Sequence, residues 1–234
     1  MEVQTRIEYD FDASMARLDA ILASSNRNYI ELDYIPARSF FTYENGVNTK
    51  AIALFIDIIG SSKLTQSHTR PVISKIYRSF ISECTAILNS EDICEEINIH
   101  GDCVWGVFDA NDNENYGTVF HVAARLNSLI GHLNSKLSSY GYKNIQAGIG
   151  IADGNVLIVK AGYAGSSLND LIWMGDAINQ ASHLANVAGR NGLEPILLTD
   201  SVACRLNKHR QSLIFPLSSL SSIFSGDFIA TELE

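Results

Sequence analysis

Residues 51–62 read AIALFIDIIGSS. An apolar run delivers Asp57 and then breaks at Gly60, where Ser61 and Ser62 open a helix. Such a run, bounded by glycine, predicts a buried strand. A carboxylate at the exit of a buried strand, next to a glycine turn and a helix start, lies beside free backbone N–H groups. That arrangement suits a metal-bound phosphate. Taken alone, Asp57 is weak, because an aspartate that closes a strand is more commonly a turn residue or helix cap. The chemistry needs a second acid.

Asp102 supplies one, in CEEINIHGDCVWGVFDA. Cys94–Ile99 and Cys103–Phe108 read as short strands, and His100-Gly101-Asp102 as a tight hairpin whose glycine takes positive φ. If this hairpin pairs beside the first strand, two carboxylates meet at one end of a sheet. With phosphate oxygens they make a site for Mg²⁺ or Mn²⁺, hard ions that prefer oxygen ligands.

The chain has 234 residues, 46% of them hydrophobic, enough for one substantial core with appendages. Its formal net charge of -9 argues against a nucleic-acid or anionic-membrane surface. Cys84, Cys94, Cys103 and Cys204 have no zinc or CxxC spacing and read as buried, reduced thiols. The acidic MEVQTRIEYDFD start lacks a signal pattern, and no apolar run reaches the ~20 residues of a membrane helix. A cytoplasmic protein is expected.

Around the opening stretch, Phe11, Met15, Leu18, Ile21 and Leu22 predict an amphipathic helix over residues 10–25. An aromatic lead-in, Tyr29–Phe41, and a turn at Tyr43–Gly46 follow. Ile73 to Leu88 keep a helical period, in a long helix bent near Pro71. Tyr116 to Leu137 predict a second long helix ended by Gly141. Ile145–Ile151 and Val156–Ala161 read as strands, with Asp153-Gly154 as the turn between them. Leu171–Met174 and Ile196–Leu198 are short strands flanking a helix over Asp176–Val187. A short helix and Ser-rich turns with two weak strands close the chain. Strand, helix, strand, strand, helix, strand is the ferredoxin-like split βαβ order of an α+β fold, in which the first and third strands are neighbours. The expected division is an N-terminal helix and lead-in over 1–48, a catalytic domain over 49–200 and an extension over 201–234.

FIDIIGSS, IHGDCVWGVF and WMGDAINQASHLAN, in that order and spacing, resemble the class III nucleotidyl cyclase catalytic domain over roughly Ala51 to Thr199. The resemblance implies that Asp57, Asp102 and the Ile58 carbonyl hold two divalent cations, Mn²⁺ or Mg²⁺, and that the backbone from Ile59 through Gly60, Ser61 and Ser62 cradles phosphates. It also implies a two-fold homodimer with active sites at the subunit interface. Asn179 of the partner copy falls on the residue that orients the ribose. His183 stands where the family carries an arginine for the transferring phosphate, and a histidine holds its charge only near or below ~6.5. Arg190, in the loop after that helix, either supplies the missing charge or is a solvated surface arginine, the commoner case.

Two positions read the base in this family. Adenylyl cyclases carry Lys and Asp there, guanylyl cyclases Glu and Cys; this chain has Asn98 and Ile172. With the aromatic lead-in, that departure resembles the bacterial Pycsar pyrimidine cyclases, antiphage enzymes that make cyclic UMP or cyclic CMP and act through a cyclic-nucleotide effector. Phe41 or Tyr43 could fill the space a smaller base leaves, by stacking. The Asn98 amide both donates and accepts, serving uracil or cytosine alike. Conversion of UTP to cyclic UMP is the narrowly favoured expectation, on resemblance alone. A cytidylate cyclase, an unusual purine cyclase and a degenerate domain that binds nucleotide as a regulatory module are the alternatives.

Overall fold

The computed structural model describes residues 6–166, 168–218 and 222–232. Helix α1 (Phe11–Leu22) begins at Asp10, whose carboxylate accepts from the Ala13 N–H at 3.0 Å. None of its side chains is buried, so the apolar stripe is present but meets no core of its own chain. Strand β1 (Tyr29–Glu31) runs parallel to the start of β2 (Gly46–Ile58). Between them the lead-in passes through a 3₁₀ turn, Arg38–Phe40.

After β2 the chain enters α2 (Ser61–Ser67) through Gly60, whose φ of 68° is a left-handed conformation natural to glycine. The expected single bent helix is two helices, because the chain extends at His68 and Thr69 before α3 (Arg70–Asn89) starts. Pro71 lies in the first turn of α3, where its missing N–H has no helical partner to lose. Strands β3 (Cys94–His100) and β4 (Cys103–Asp109) form the predicted hairpin, with Gly101 at φ 65°. Helix α4 (Asn113–Ser139) leads to β5 (Ala147–Gly162).

Strand β5 corrects the Asp153-Gly154 turn: it is one continuous strand. Asp153 pairs with Ile52 and Gly154 with Ala51, and the Asp153 carboxylate accepts from the Tyr116 hydroxyl at 2.9 Å. An aspartate with a hydroxyl donor across the layer tolerates a mid-strand position that isolated aspartates avoid. The rest is β6 (Asn169–Gly175), α5 (Asp176–Val187), β7 (Ile196–Thr199), α6 (Asp200–Arg205), α7 (Lys208–Gln211), β8 (Phe215–Pro216) and β9 (Ile223–Gly226). Residues 219–221 of the Ser-rich turn lie outside the described residues.

The sheet runs β3-β4-β2-β5-β7-β9-β8, with β6 paired to the far half of β5. Its centre, β3-β4-β2-β5, has the neighbour relations expected of the split βαβ order. Alternation along β2 separates two cores. Ile52, Leu54, Ile56 and Ile58 face α3 and α4, while Ala51, Ala53 and Phe55 face α5 and the lead-in. The last strands belong to the same body: Phe228 stacks on Phe120 with ring centroids 4.0 Å apart inside the first core. Among the described residues no helix is long and apolar enough to cross a membrane.

Helix α5 lies very close to the sheet because β5 offers glycines beneath it. A methyl group added at Gly148 would lie 2.7 Å from the Ala188 carbonyl, and one at Gly150 would lie 2.9 Å from Leu184 Cβ. Both glycines face the inner layer opposite Asp57 and Phe55 in the β2–β5 ladder. The spacing between the sheet and the helix that carries Asn179 is therefore set by absent side chains.

Candidate active site

Asp57 leaves β2 paired with Cys103 at the start of β4 and with Gly148 on β5. Asp102 precedes Cys103 in the hairpin, so the two acids arrive at one end of the sheet from distant parts of the chain. Burial pushes the Asp57 carboxyl above its ordinary value, and the charge of Asp102 pushes it further the same way. Arg190 opposes both. Its Nη2 donates to Asp57 Oδ2 at 3.3 Å, and its Nη1 donates to the Ala185 and Ala188 carbonyls at 3.1 and 3.3 Å. Each partner of this ion pair keeps 25% of its side-chain surface.

Arg190 is thus not a solvated surface residue. It closes the C-terminal end of α5 and counters the first acid of its own chain. The sequence signal was faint: an arginine just past an alanine-rich helix end.

A cavity of about 470 Å³ opens beside Asp57, lined by Phe55, His100, Cys103, Trp105 and, from α5, Ile178, Asn179, Ser182, Ala185 and Asn186. Phe55 and Trp105 stack at 4.9 Å, giving it a flat apolar wall. Burial, with Asp57 and Asp102 nearby, pushes the Cys103 thiol up to about 12. With no cation beside it, the thiol stays protonated at neutral pH. Sequence reasoning had not singled out His100, Trp105 or Ser182; strand alternation would have put Trp105 on the Asp57 face. The four cysteines are free, and Cys204 is exposed rather than buried.

The remaining expected residues lie elsewhere in the single chain. His183 lines a second cavity, of about 520 Å³, with Gln180, Thr199, Asp200 and Ser222; Asn179 borders both cavities. Asn98 sits on β3 opposite Trp105, and its Nδ2 is buried with no hydrogen-bond partner. Ile172, on β6, is 40% exposed and faces away from its buried neighbour Trp173. Phe41 is only 3% exposed, held in the inner core, so it has no free ring face for a base. Of the two aromatic candidates Tyr43 is the exposed one, and Lys160 covers one face of its ring at 5.1 Å.

The phosphate cradle also needs one correction. The Ile59 N–H is spent on the Gln146 carbonyl at 2.8 Å, leaving Gly60, Ser61 and Ser62 at the start of α2, where no side chain caps the helix. Because Ile59 bonds toward β5, the peptide groups of Ile58 point toward the other edge, where the Asp102 hairpin lies.

Residues 45–217 match the family model of the adenylate and guanylate cyclase catalytic domain. The chain belongs to the class III nucleotidyl cyclase family. A uridylate cyclase of Treponema porcinum is 32% identical over 208 residues, 89% of this chain and 72% of the relative. A uridylate cyclase of Gulbenkiania mobilis is 38% identical over 188 residues, 77% of this chain and 72% of the relative. The fold is shared with a bacterial light-regulated adenylyl cyclase at TM-score 0.65 and 19% identity, covering 81% of this chain and 56% of that one. The chain thus spans little more than half the length of that structure.

Enzymes of this family depend on divalent metal, and the donor set fits a hard cation. Two carboxylates and a carbonyl are oxygen ligands, and the repulsion between Asp57 and Asp102 is what a cation relieves. Among the described residues no three His, Cys, Asp or Glu side chains cluster to hold a metal by themselves. A cation here needs further oxygens, of the kind a triphosphate brings.

Proposed function

We propose that this cyclase converts UTP to 3′,5′-cyclic UMP and pyrophosphate, in sites completed by two copies of the chain. The 3′ oxygen of the nucleotide attacks its own α-phosphorus, its proton passes to solvent water, and the bond to pyrophosphate breaks. Asp57, Asp102 and the Ile58 carbonyl are the groups that would hold Mg²⁺ or Mn²⁺. When bound, such ions supply positive charge against the triphosphate and lower the pKa of the 3′ hydroxyl. The N–H groups of Gly60, Ser61 and Ser62 receive phosphate oxygens at the start of α2. Asn179 orients the ribose, and His183 donates to a phosphate oxygen.

The two-copy arrangement is supported by the scatter of these groups over one chain. Asp57 lines one cavity, His183 another, and Asn98 and Ile172 neither. A second copy that presents its α5, β3 and β6 to the first copy's Asp57 would gather them.

The observation that carries uracil over cytosine is the likeness to relatives named uridylate cyclase. The Asn98 Nδ2, buried with no partner in its own chain, would find an acceptor on either pyrimidine, a uracil carbonyl or the cytosine N3. Rotation of the same amide would serve cytosine, which makes cyclic CMP the second reading. Incubating the protein with each of the four nucleoside triphosphates and Mn²⁺, with products resolved by mass spectrometry, tests the proposal. Cyclic UMP as the main product supports it; a purine product, or bound nucleotide without any product, overturns it. A role in antiphage signalling rests on the Pycsar resemblance, and predicts that Asp57→Asn removes any protection the gene confers on infected cells.

A further inference from the structure

Arg38 lies in the 3₁₀ turn that crosses the inner face just before the buried Phe41. Its guanidinium holds two acids at once. Nη1 donates to both oxygens of Glu96, at 3.1 and 3.0 Å, and Nη2 donates to Asp170 Oδ1. Glu96 belongs to β3 and Asp170 to β6, strands that never pair, because β4, β2 and β5 stand between them. Backbone ladders therefore leave the distance between β3 and β6 to the curl of the sheet. The β3 ladder is itself irregular where Glu96 begins, since the register shifts between Cys94 and Glu96.

Alternation gives this bridge its meaning. Asn98 is two residues beyond Glu96 on the same face of β3, and Ile172 is two residues beyond Asp170 on the same face of β6. Glu96 keeps only 14% of its side-chain surface and Asp170 36%, while Arg38, at 56%, reaches both from the solvent side. Losing Arg38 would leave the largely desolvated Glu96 carboxylate without its partner and remove the side-chain link the guanidinium makes between the two strands, which favours a wider spacing. We propose that Arg38 is a positioning residue, which sets the width of the nucleobase pocket by clamping the two strands that carry Asn98 and Ile172. This rests on the proposed role of those two residues in reading the base. A pocket held narrow admits a pyrimidine and turns away the larger purine.

The test offers UTP and ATP together, at equal concentration, to wild type, Arg38→Gln and Arg38→Lys. For Arg38→Gln we expect KM for UTP to rise about tenfold with kcat nearly kept, and the purine share of product to rise about tenfold. Arg38→Lys falls between, since an ammonium cannot fork to two carboxylates as a guanidinium does. A merely structural arginine would lower stability and leave the product ratio untouched. If Arg38→Gln does not fold, Glu96→Gln with Asp170→Asn removes the clamp and the uncompensated charges together, and the same change in product ratio is expected. An unchanged ratio and KM in the folded variants overturns the clamp. Wild type that makes no pyrimidine product overturns the proposed substrate instead, and the clamp is then read from KM for whichever nucleotide is cyclised.

Discussion

Gly150→Ala drives a methyl group into the backbone of α5. The added carbon would lie 2.9 Å from Leu184 Cβ and nearer still to the Ala181 carbonyl and the Ala185 N–H. Non-bonded carbons settle at about 3.5–4.0 Å, so α5 must retreat from the sheet by roughly 1 Å. Backbone cannot swing aside as a flexible side chain would. Overpacking of this kind costs about 1–3 kcal/mol, which lowers Tm by a few degrees in a chain of this size. The larger effect falls on chemistry, because α5 carries Asn179 and a displacement of about 1 Å in a positioning element costs about a hundredfold in rate. Steady-state pyrophosphate release and a thermal melt read the two effects separately. Gly131→Ala in α4 is the control: nothing lies within 4 Å of its added carbon. A Gly150→Ala variant that matches Gly131→Ala in both kcat/KM and Tm would refute the idea that α5 is positioned by contact with β5.

Three further outcomes follow from the same coordinates. Burial and Asp102 raise the Asp57 carboxyl above 3.8, so the stability linked to Asp57 is present below that value and lost as pH rises through the raised one. Asp57→Asn is therefore expected to be at least as stable as wild type in EDTA at neutral pH, by thermal melt, while cyclase activity falls about a thousandfold or more. Arg190→Gln removes the group that holds the Asp57 carboxyl down; the acidic limb of the pH–activity profile is expected to move to higher pH, and urea melts to show a loss of about 1–3 kcal/mol. Phe228→Ala empties the position stacked on Phe120, and a loss of about 3–5 kcal/mol in chemical denaturation would mark the C-terminal strands as part of the folding unit.

The elements around Asp57 and Asp102 were legible because each carries its own local signal. The apolar run into Asp57, the glycine break after it and the His-Gly-Asp hairpin could be read residue by residue, and the order of elements then made the first and third core strands neighbours. What escaped depends on contacts between distant residues. Asp153-Gly154 has the composition of a turn, and only the Tyr116 hydroxyl, 37 residues away, makes it acceptable inside a strand. Arg190 and Arg38 find carboxylate partners 133 and 132 positions away. Phe41 looked like a free aromatic because its burial depends on how the lead-in folds back across the sheet. Side chains whose partners come from the local ladder were predictable, and those paired across layers were not.

In the proposed mechanism Asp57 and Asn179 act from different copies of the chain, although both line one cavity within a single copy. Mixing Asp57→Asn chains with Asn179→Ala chains, each inactive alone, tests it most directly. If sites form between copies, random pairing gives mixed dimers with one intact site each, and activity returns to about a quarter of wild type. A mixture that stays inactive, while copurification of differently tagged chains shows that mixed dimers have formed, would contradict the account.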